Sequence, residues 1–366
     1  MRKCLFAIAS LAIACAGDTA DDGDAAGAEI VIDSARASLG QLEGTRHLAE
    51  LPDGRVAIAQ PSVPSVLIAD LATGAIDTIG KVGQGPGEYR APGYVTVRNG
   101  RLEIFDAMQR RRTAWSIDDG RVLGTSTIAN LPGFELAFDT AGNLYVEQPT
   151  STGFVVVGQE IDSLGPKDST WVYRLKPGEP GRDTVAQLFD IGWEIVRFGS
   201  SGIGRFRPLY VTPDVWGVLD DGTLWIARGR ENRVDRRASD GTWTIGIPRP
   251  FVPVPTTDAD RQKNPTFPGA PPPTDTTWRK LPPQKGPFSD AVATPEGEVW
   301  TRLQQEPSAP RERYAIFPVS GPSVRTLSLP KGRQIVLITG RHIYAMHEDD
   351  DGFRILERYD RPRRPS

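Results

Sequence analysis

Cysteine, histidine and methionine are scarce in this chain of 366 residues: 2 Cys, 3 His and 3 Met. Both cysteines fall within the first 15 residues, at Cys4 and Cys15. The remaining chain therefore has no disulfide framework, no Cys-based metal site and no cysteine nucleophile. His47, His342 and His347 are not spaced as metal ligands, and His342 and His347 are five residues apart. There is no G-x-S-x-G elbow and no Ser/His/Asp arrangement to support acyl transfer. Lysine is sparse beside arginine, 8 against 35, and the formal net charge of −3 gives no reason to expect nucleic acid. No catalytic residue is assigned. The 24% of charged residues and 39% of hydrophobic ones nevertheless describe a globular chain able to bury a sizeable core.

Glycine and proline are abundant, 38 and 32 residues, about a fifth of the chain. They are spread without a fixed period, as many short strands joined by tight turns would require.

The N-terminus reads as an export signal. Met1-Arg2-Lys3 is a basic start, and Cys4–Ala14 is an apolar run of 11 residues, too short to span a bilayer as a helix. Ala12-Ile13-Ala14-Cys15-Ala16-Gly17 resembles a bacterial lipobox in which Cys15 is acylated and becomes the mature N-terminus. Ala12 stands where leucine is usual. The alternative is ordinary cleavage after Ala14 or Ala16, which would release a secreted protein. Residues 1–14 are thus expected to be a signal peptide. Residues 15–28, small and acidic with Asp18, Asp21, Asp22 and Asp24, are expected to be a solvated tether. The expected location is the bacterial cell envelope, in the periplasm or at the outer membrane, with membrane contact only through the lipid.

The fold follows from a repeat. A turn ending in glycine, one residue, then alternating apolar positions recurs at Gly54, Gly100, Gly142, Gly222, Gly297 and Gly340. Such turns flanked by alternating hydrophobics mark β-hairpins. Five copies have a second glycine turn downstream, at Gly74, Gly120, Gly178, Gly241 and Gly321. Two hairpins make a four-stranded antiparallel unit. The leading glycines are 46, 42, 80, 75 and 43 residues apart, and three of these intervals suit one propeller blade. The expectation is an all-β, six-bladed β-propeller over residues 29–362, with insertions near 148–170, 189–207 and 248–287 and a basic tail at 363–366. The last unit offers only three strands, and Ile30–Ile32 is expected to close the ring as its fourth.

Val82-Gly83-Gln84-Gly85-Pro86-Gly87-Glu88-Tyr89, running on to Ile104-Phe105-Asp106, resembles a bacterial six-bladed β-propeller family, NHL-like and mostly exported. Trp216–Gly222 and Arg228–Val234 look like that family's fourth blade. Pro282–Phe288 with Gly297–Trp300 looks like its fifth. The resemblance covers most of residues 28–362 and implies the fold, with little about function.

The chemistry that remains is that of binding. Gly83, Gly85 and Gly87 could expose backbone N–H groups, with Glu88 and Tyr89 meeting a ligand. The competing and favoured reading makes this segment an inter-blade crossing with Tyr89 packed inside. The insertion 248–287 carries 12 prolines and cannot be a central strand. Long ordered insertions are often functional, so Arg261, Phe267 and Trp278 are candidate ligand contacts. Arginines at 110–112 and at 228, 230, 233, 236 and 237 read first as polar strand faces, with an anionic polysaccharide or lipid surface as the other reading. Glu348–Gly352 lacks the spaced oxygens of a calcium loop and reads as a hairpin turn. No cofactor is expected. A zinc site like that of the propeller amidating lyases would need three converging histidines, against which stands the reading of exposed or turn histidines, and a calcium in the central channel, as in propeller lactonases, is the other metal reading. The expected role is that of a monomeric, non-enzymatic module for an envelope protein, peptide or glycan. The alternative is a calcium-dependent hydrolase or lyase.

Overall fold

The computed structural model describes residues 29–42, 47–60, 63–128, 136–148, 169–189, 191, 194–198, 202–206, 209–262, 281–321 and 324–362. Cys15, Phe267, Trp278, the signal and tether segments and the basic tail lie outside them.

Six four-stranded antiparallel blades form a closed ring, a six-bladed β-propeller. Strands His47–Glu50, Val56–Gln60, Ser65–Asp70 and Ala75–Ile79 make blade one. Blades two, three and four begin with inner strands Pro92–Arg98, Leu136–Phe138 and Val215–Val218. Blades five and six begin with Phe288–Ala293 and Gln334–Ile338. Each leading glycine of the repeat lies in the turn between a blade's first and second strands. At Gly54, Gly100, Gly142, Gly222 and Gly297 φ is between +69° and +91°, a region open to glycine and costly for other residues.

The blades are held together by their faces. Six buried apolar clusters occupy the six interfaces. Ala57, Val66 and Ile68 of blade one, for example, meet Val95, Leu102 and Ile104 of blade two. The sixth interface joins Tyr344 and Leu356 of blade six to Leu48, Val56 and Ile58 of blade one. Burying each such side chain is worth about 1.5–3 kcal/mol, so closing the ring adds a full interface that an open array would lack.

The ring is closed by an N-terminal strand, but not the one the sequence suggested. Ala37–Leu42 pairs antiparallel with Arg354–Asp360 as the outer strand of blade six, with Leu39 opposite Leu356. Ile30–Val31 instead pairs in parallel with Arg325–Pro330, as a fifth strand outside blade five. Burial explains the exchange. Leu39 and Leu42 are 7% and 4% exposed and complete the core between blades six and one, whereas Val31 is 52% exposed.

All six leading turns lie at one end of the ring, and the connections from blade to blade lie at the other. Two of those crossings are long. Blade three reaches blade four through a hairpin, Glu194–Phe198 with Gly202–Phe206. Blade four reaches blade five through the proline-rich segment, whose described part contains the short helix Asp258–Gln262 and a bridge between Pro255 and Gln284.

Candidate ligand cleft

A cleft of about 710 Å³ opens at the end of the ring that carries the blade crossings, over blades three, four and five. It is built from segments far apart in sequence: Glu147, Leu188, Phe189 and Ile191, residues 209–211 and 213–216, Asp260, Lys285, Ser289 and Asp290, and residues 302–307 with Ala309 and Glu312. The wall on the insertion side is fixed by a buried ion pair. Lys285 Nζ lies 2.6 Å from Asp260 Oδ1, with both side chains 3% exposed. Lys285 also donates to the Gln305 carbonyl at 2.7 Å, while Asp260 Oδ2 accepts from Thr257 N and Oγ1. Burial alone would raise the Asp260 pKa. The hydrogen bonds from Lys285 and Thr257 outweigh it and hold the carboxyl below the usual range.

Tyr210 stands at the same wall. Its φ of 60° puts a non-glycine residue in the left-handed region, which costs on the order of 1–3 kcal/mol and recurs at functional sites. Gly286 N donates to its carbonyl at 2.8 Å, and its ring lies 4.8 Å from Lys285 Nζ. Burial and the nearby Asp260 charge push its hydroxyl up to about 12, so it is a neutral donor at any physiological pH.

Across the cleft, Trp216 donates its indole N–H to Glu147 at 2.8 Å. Asp214 is a fixed strut, accepting from Phe189 N, Gly229 N and Arg228. Arg302 pairs with Glu312 at 3.1 Å. Burial raises the Asp290 pKa despite hydrogen bonds from Gln334 and Ala291 N. The lining carries six carboxyl groups, Glu147, Asp214, Asp260, Asp290, Glu306 and Glu312, against three basic side chains, Lys285, Arg302 and Lys331, so it is acidic on balance. Aromatic faces next to carboxylates and carbonyls suit sugar rings or peptide groups.

The Gly83–Tyr89 segment lies at the crossing from blade one to blade two. Glu88 turns back on its own loop, accepting from Gln84 N at 2.9 Å and Gly85 N at 2.8 Å, which lowers its pKa. A Cβ on Gly83 would lie 2.1 Å from the Glu88 carboxylate, and Gly83 has φ of 155°. Gly87 abuts Trp115, and Gly85 packs beside Glu88. Tyr89 is fully buried and accepts a hydrogen bond from Trp115 Nε1 at 2.6 Å. Asp106 clamps the end of the crossing, accepting from Arg90 N, Ala91 N and Gln109 N. None of these residues lines the cleft. Arg261 is in the helix that supplies Asp260.

A second cavity, of about 810 Å³, runs along the ring axis between the inner strands of all six blades. Much of its lining is apolar, including Val95, Val218, Val292 and Leu337, with Glu50, Asp220 and Arg341 toward the turn end. Among the described residues no group of three His, Cys, Asp or Glu could hold a metal ion. The three histidines are dispersed. His342 meets Glu50 at 2.7 Å, His347 lies near Glu357, and His47 packs on Tyr94. The run Glu348–Gly352 is a hairpin turn in which Asp349 accepts from Asp351 N and Phe353 N.

Sequence reasoning pointed to the insertion but missed Tyr210, Trp216, Glu147, Asp290 and Arg302. No local motif marks them, since they converge only when the ring closes.

No family model matches the sequence, and no curated protein matches it. Three solved structures of similar shape share 12–13% identity with this chain. Regucalcin, a calcium-binding protein from Agrobacterium tumefaciens, has 12% identity and a TM-score of 0.44, over 91% of this chain and 96% of that one. The PQQ-bound aldose sugar dehydrogenase of Streptomyces coelicolor has 13% and 0.44, over 89% and 97%. Virginiamycin B lyase of Staphylococcus aureus has 12% and 0.41, over 87% and 98%. Among the described residues no helix is long and apolar enough to cross a membrane.

Proposed function

We propose that this protein is an exported propeller, anchored by a lipid on Cys15, that binds a peptide or glycan of the cell envelope in the cleft over blades three to five. The carrying observation is the cleft itself. It is large, it lies on the face of the long crossings, and it sets Tyr210, Trp216 and Phe189 beside Glu147, Asp290 and Glu306. Its acidic balance favours a neutral or cationic ligand. Export and anchoring are supported by the basic start, the 11-residue apolar run and the small residues around Cys15.

The test is photo-crosslinking in the native envelope, from a probe at Glu306 in the cleft and another at Leu123 on the outer edge of blade two. Both side chains are exposed. A peptide or glycan captured at 306 and not at 123 supports the reading. Equal capture from both positions, or none from 306, overturns it.

A further inference from the structure

Five of the thirteen large apolar side chains exposed among the described residues fall within ten residues: Trp243, Ile245, Ile247, Phe251 and Val252. Val252 is 88% exposed. Single exposed hydrophobics are ordinary, but a concentrated run marks a contact surface. This run begins as the outer strand of blade four, Trp243–Thr244, paired with Arg233–Arg237. It is held flat beyond the strand by Gly246 N donating to Asp235 Oδ1 and by Arg249 and Asn232 exchanging bonds. A Cβ on Gly246 would lie 2.2 Å from the Val234 carbonyl oxygen, so the segment lies close against the backbone of blade four at this point.

Three observations say what covers it. Residues 248–255 hold four prolines. Proline offers no N–H, which removes the donors that an added β-strand from a protein partner would use. The charge at the surface is mostly positive: residues 243–255 contain no acid and include Arg249, and the adjoining strand Arg233–Arg237 has three arginines against one buried aspartate, Asp235, which pairs with Arg233. The chain that leads to Cys15 enters the fold at Glu29, on the outside of blade five, the neighbour of blade four. The 14 residues of 15–28 reach at most about 46–50 Å when extended. A lipid on Cys15 therefore holds the point of entry at blade five, beside blade four, within that distance of the bilayer.

We propose that the stripe from Trp243 to Val252 is a membrane-docking surface that rests on the headgroup region of an anionic phospholipid bilayer. It acts as the second attachment beside the lipid on Cys15. Stable anchoring by acylation generally takes two signals, and an apolar face with arginines at its flank supplies one. The inference rests on the anchored reading above. Docking along blade four stands the ring on its edge, so the cleft mouth opens along the membrane and not into it.

The test uses the protein purified from its own membrane and returned to vesicles of phosphatidylethanolamine and phosphatidylglycerol. An acylated Cys15 leaves no other thiol, so Val252→Cys and the control Leu123→Cys can each carry one nitroxide. The Val252 label is expected about 5–10 Å below the water interface, poorly reached by a water-soluble relaxant. The Leu123 label is expected to stay fully accessible. Ile245→Asp with Phe251→Asp should return the 252 label to water while the protein stays vesicle-bound through its lipid. Equal accessibility at 252 and 123 overturns the proposal. So does dipolar broadening between 252 labels without lipid, which would make the stripe an interface between copies. The mass of the N-terminal peptide reports acylation separately, so failure of the anchor and failure of the docking surface are told apart.

Discussion

Lys285 Nζ and Asp260 Oδ1 meet at 2.6 Å with both side chains 3% exposed, and this pair ties the two described parts of the proline-rich crossing to each other, while Lys285 also reaches the propeller body at the Gln305 carbonyl. Two buried charges matched to each other are costly to separate. Lys285→Met leaves the Asp260 carboxyl buried without a cation and should cost about 3–5 kcal/mol in urea unfolding. Adding Asp260→Leu removes the stranded charge and should restore most of the loss. The wild-type Asp260 pKa is depressed, so its contribution is present above the ordinary aspartate value of about 3.9 and is lost as pH falls through the folded value. In Lys285→Met that acid-side loss should vanish.

Closure of the ring gives two contrasting variants. Leu39→Ala opens a void between blades six and one and should cost about 2–5 kcal/mol. Deleting residues 29–34 removes the half-buried Ile30 and Ile32 from the core between blades five and six, a two-residue pairing, and two ion pairs of partly exposed side chains, Arg311–Asp33 and Arg313–Glu29. Each such pair is worth about 0–1 kcal/mol. Urea midpoints should fall for both, but exchange protection along Arg354–Asp360 should drop in Leu39→Ala and be kept in the deletion.

Asp106 is fully buried and accepts from three backbone amides, at 2.5 Å from Arg90, 3.0 Å from Ala91 and 2.9 Å from Gln109. Asp106→Ala strands all three and should cost about 1–3 kcal/mol or more. Hydrogen exchange should rise first at residues 83–91, before any loss of the ring, and Asp106→Asn should show a smaller change.

Glu296 and Arg361 link the turn end of blade five to the end of blade six, with Arg361 Nη2 at 2.8 Å from the carboxylate. The hydrogen bond from Arg361 holds the Glu296 pKa down at about 2. Its stabilising effect is present above the ordinary glutamate value and is lost as pH falls toward 2. With Glu296 partly exposed, the effect on stability is small and the titration is the better readout. Arg361→Gln should move the Glu296 carboxyl, followed by NMR, back toward 4.5.

The blades were legible because each is a local object. A glycine turn and its flanking alternation lie within a dozen residues, and the turns at Gly54 through Gly340 separate the first two strands of every blade. The identity of the closing strand was not. Glu29–Asp33 carries the stronger β-branched pattern, while Ala37–Leu42 holds Gly40 and a register shift. Only the leucine-sized space between blades six and one decides in favour of Leu39 and Leu42, and that space exists only in the folded ring. The cleft was legible only through its insertion wall. Tyr210 has no sequence signal for its positive φ, and Trp216 and Asp290 read as ordinary inner-strand residues.

Because Leu39 waits for Leu356, the first strand of the ring has no partner until nearly the whole chain has been made. Pairings across more than three hundred residues form slowly, since the loop must close before the contact rewards it. The N-terminal segment is thus without its permanent place during synthesis. A chain threaded across a membrane before it folds would turn that delay to use, staying open until its last blade has crossed.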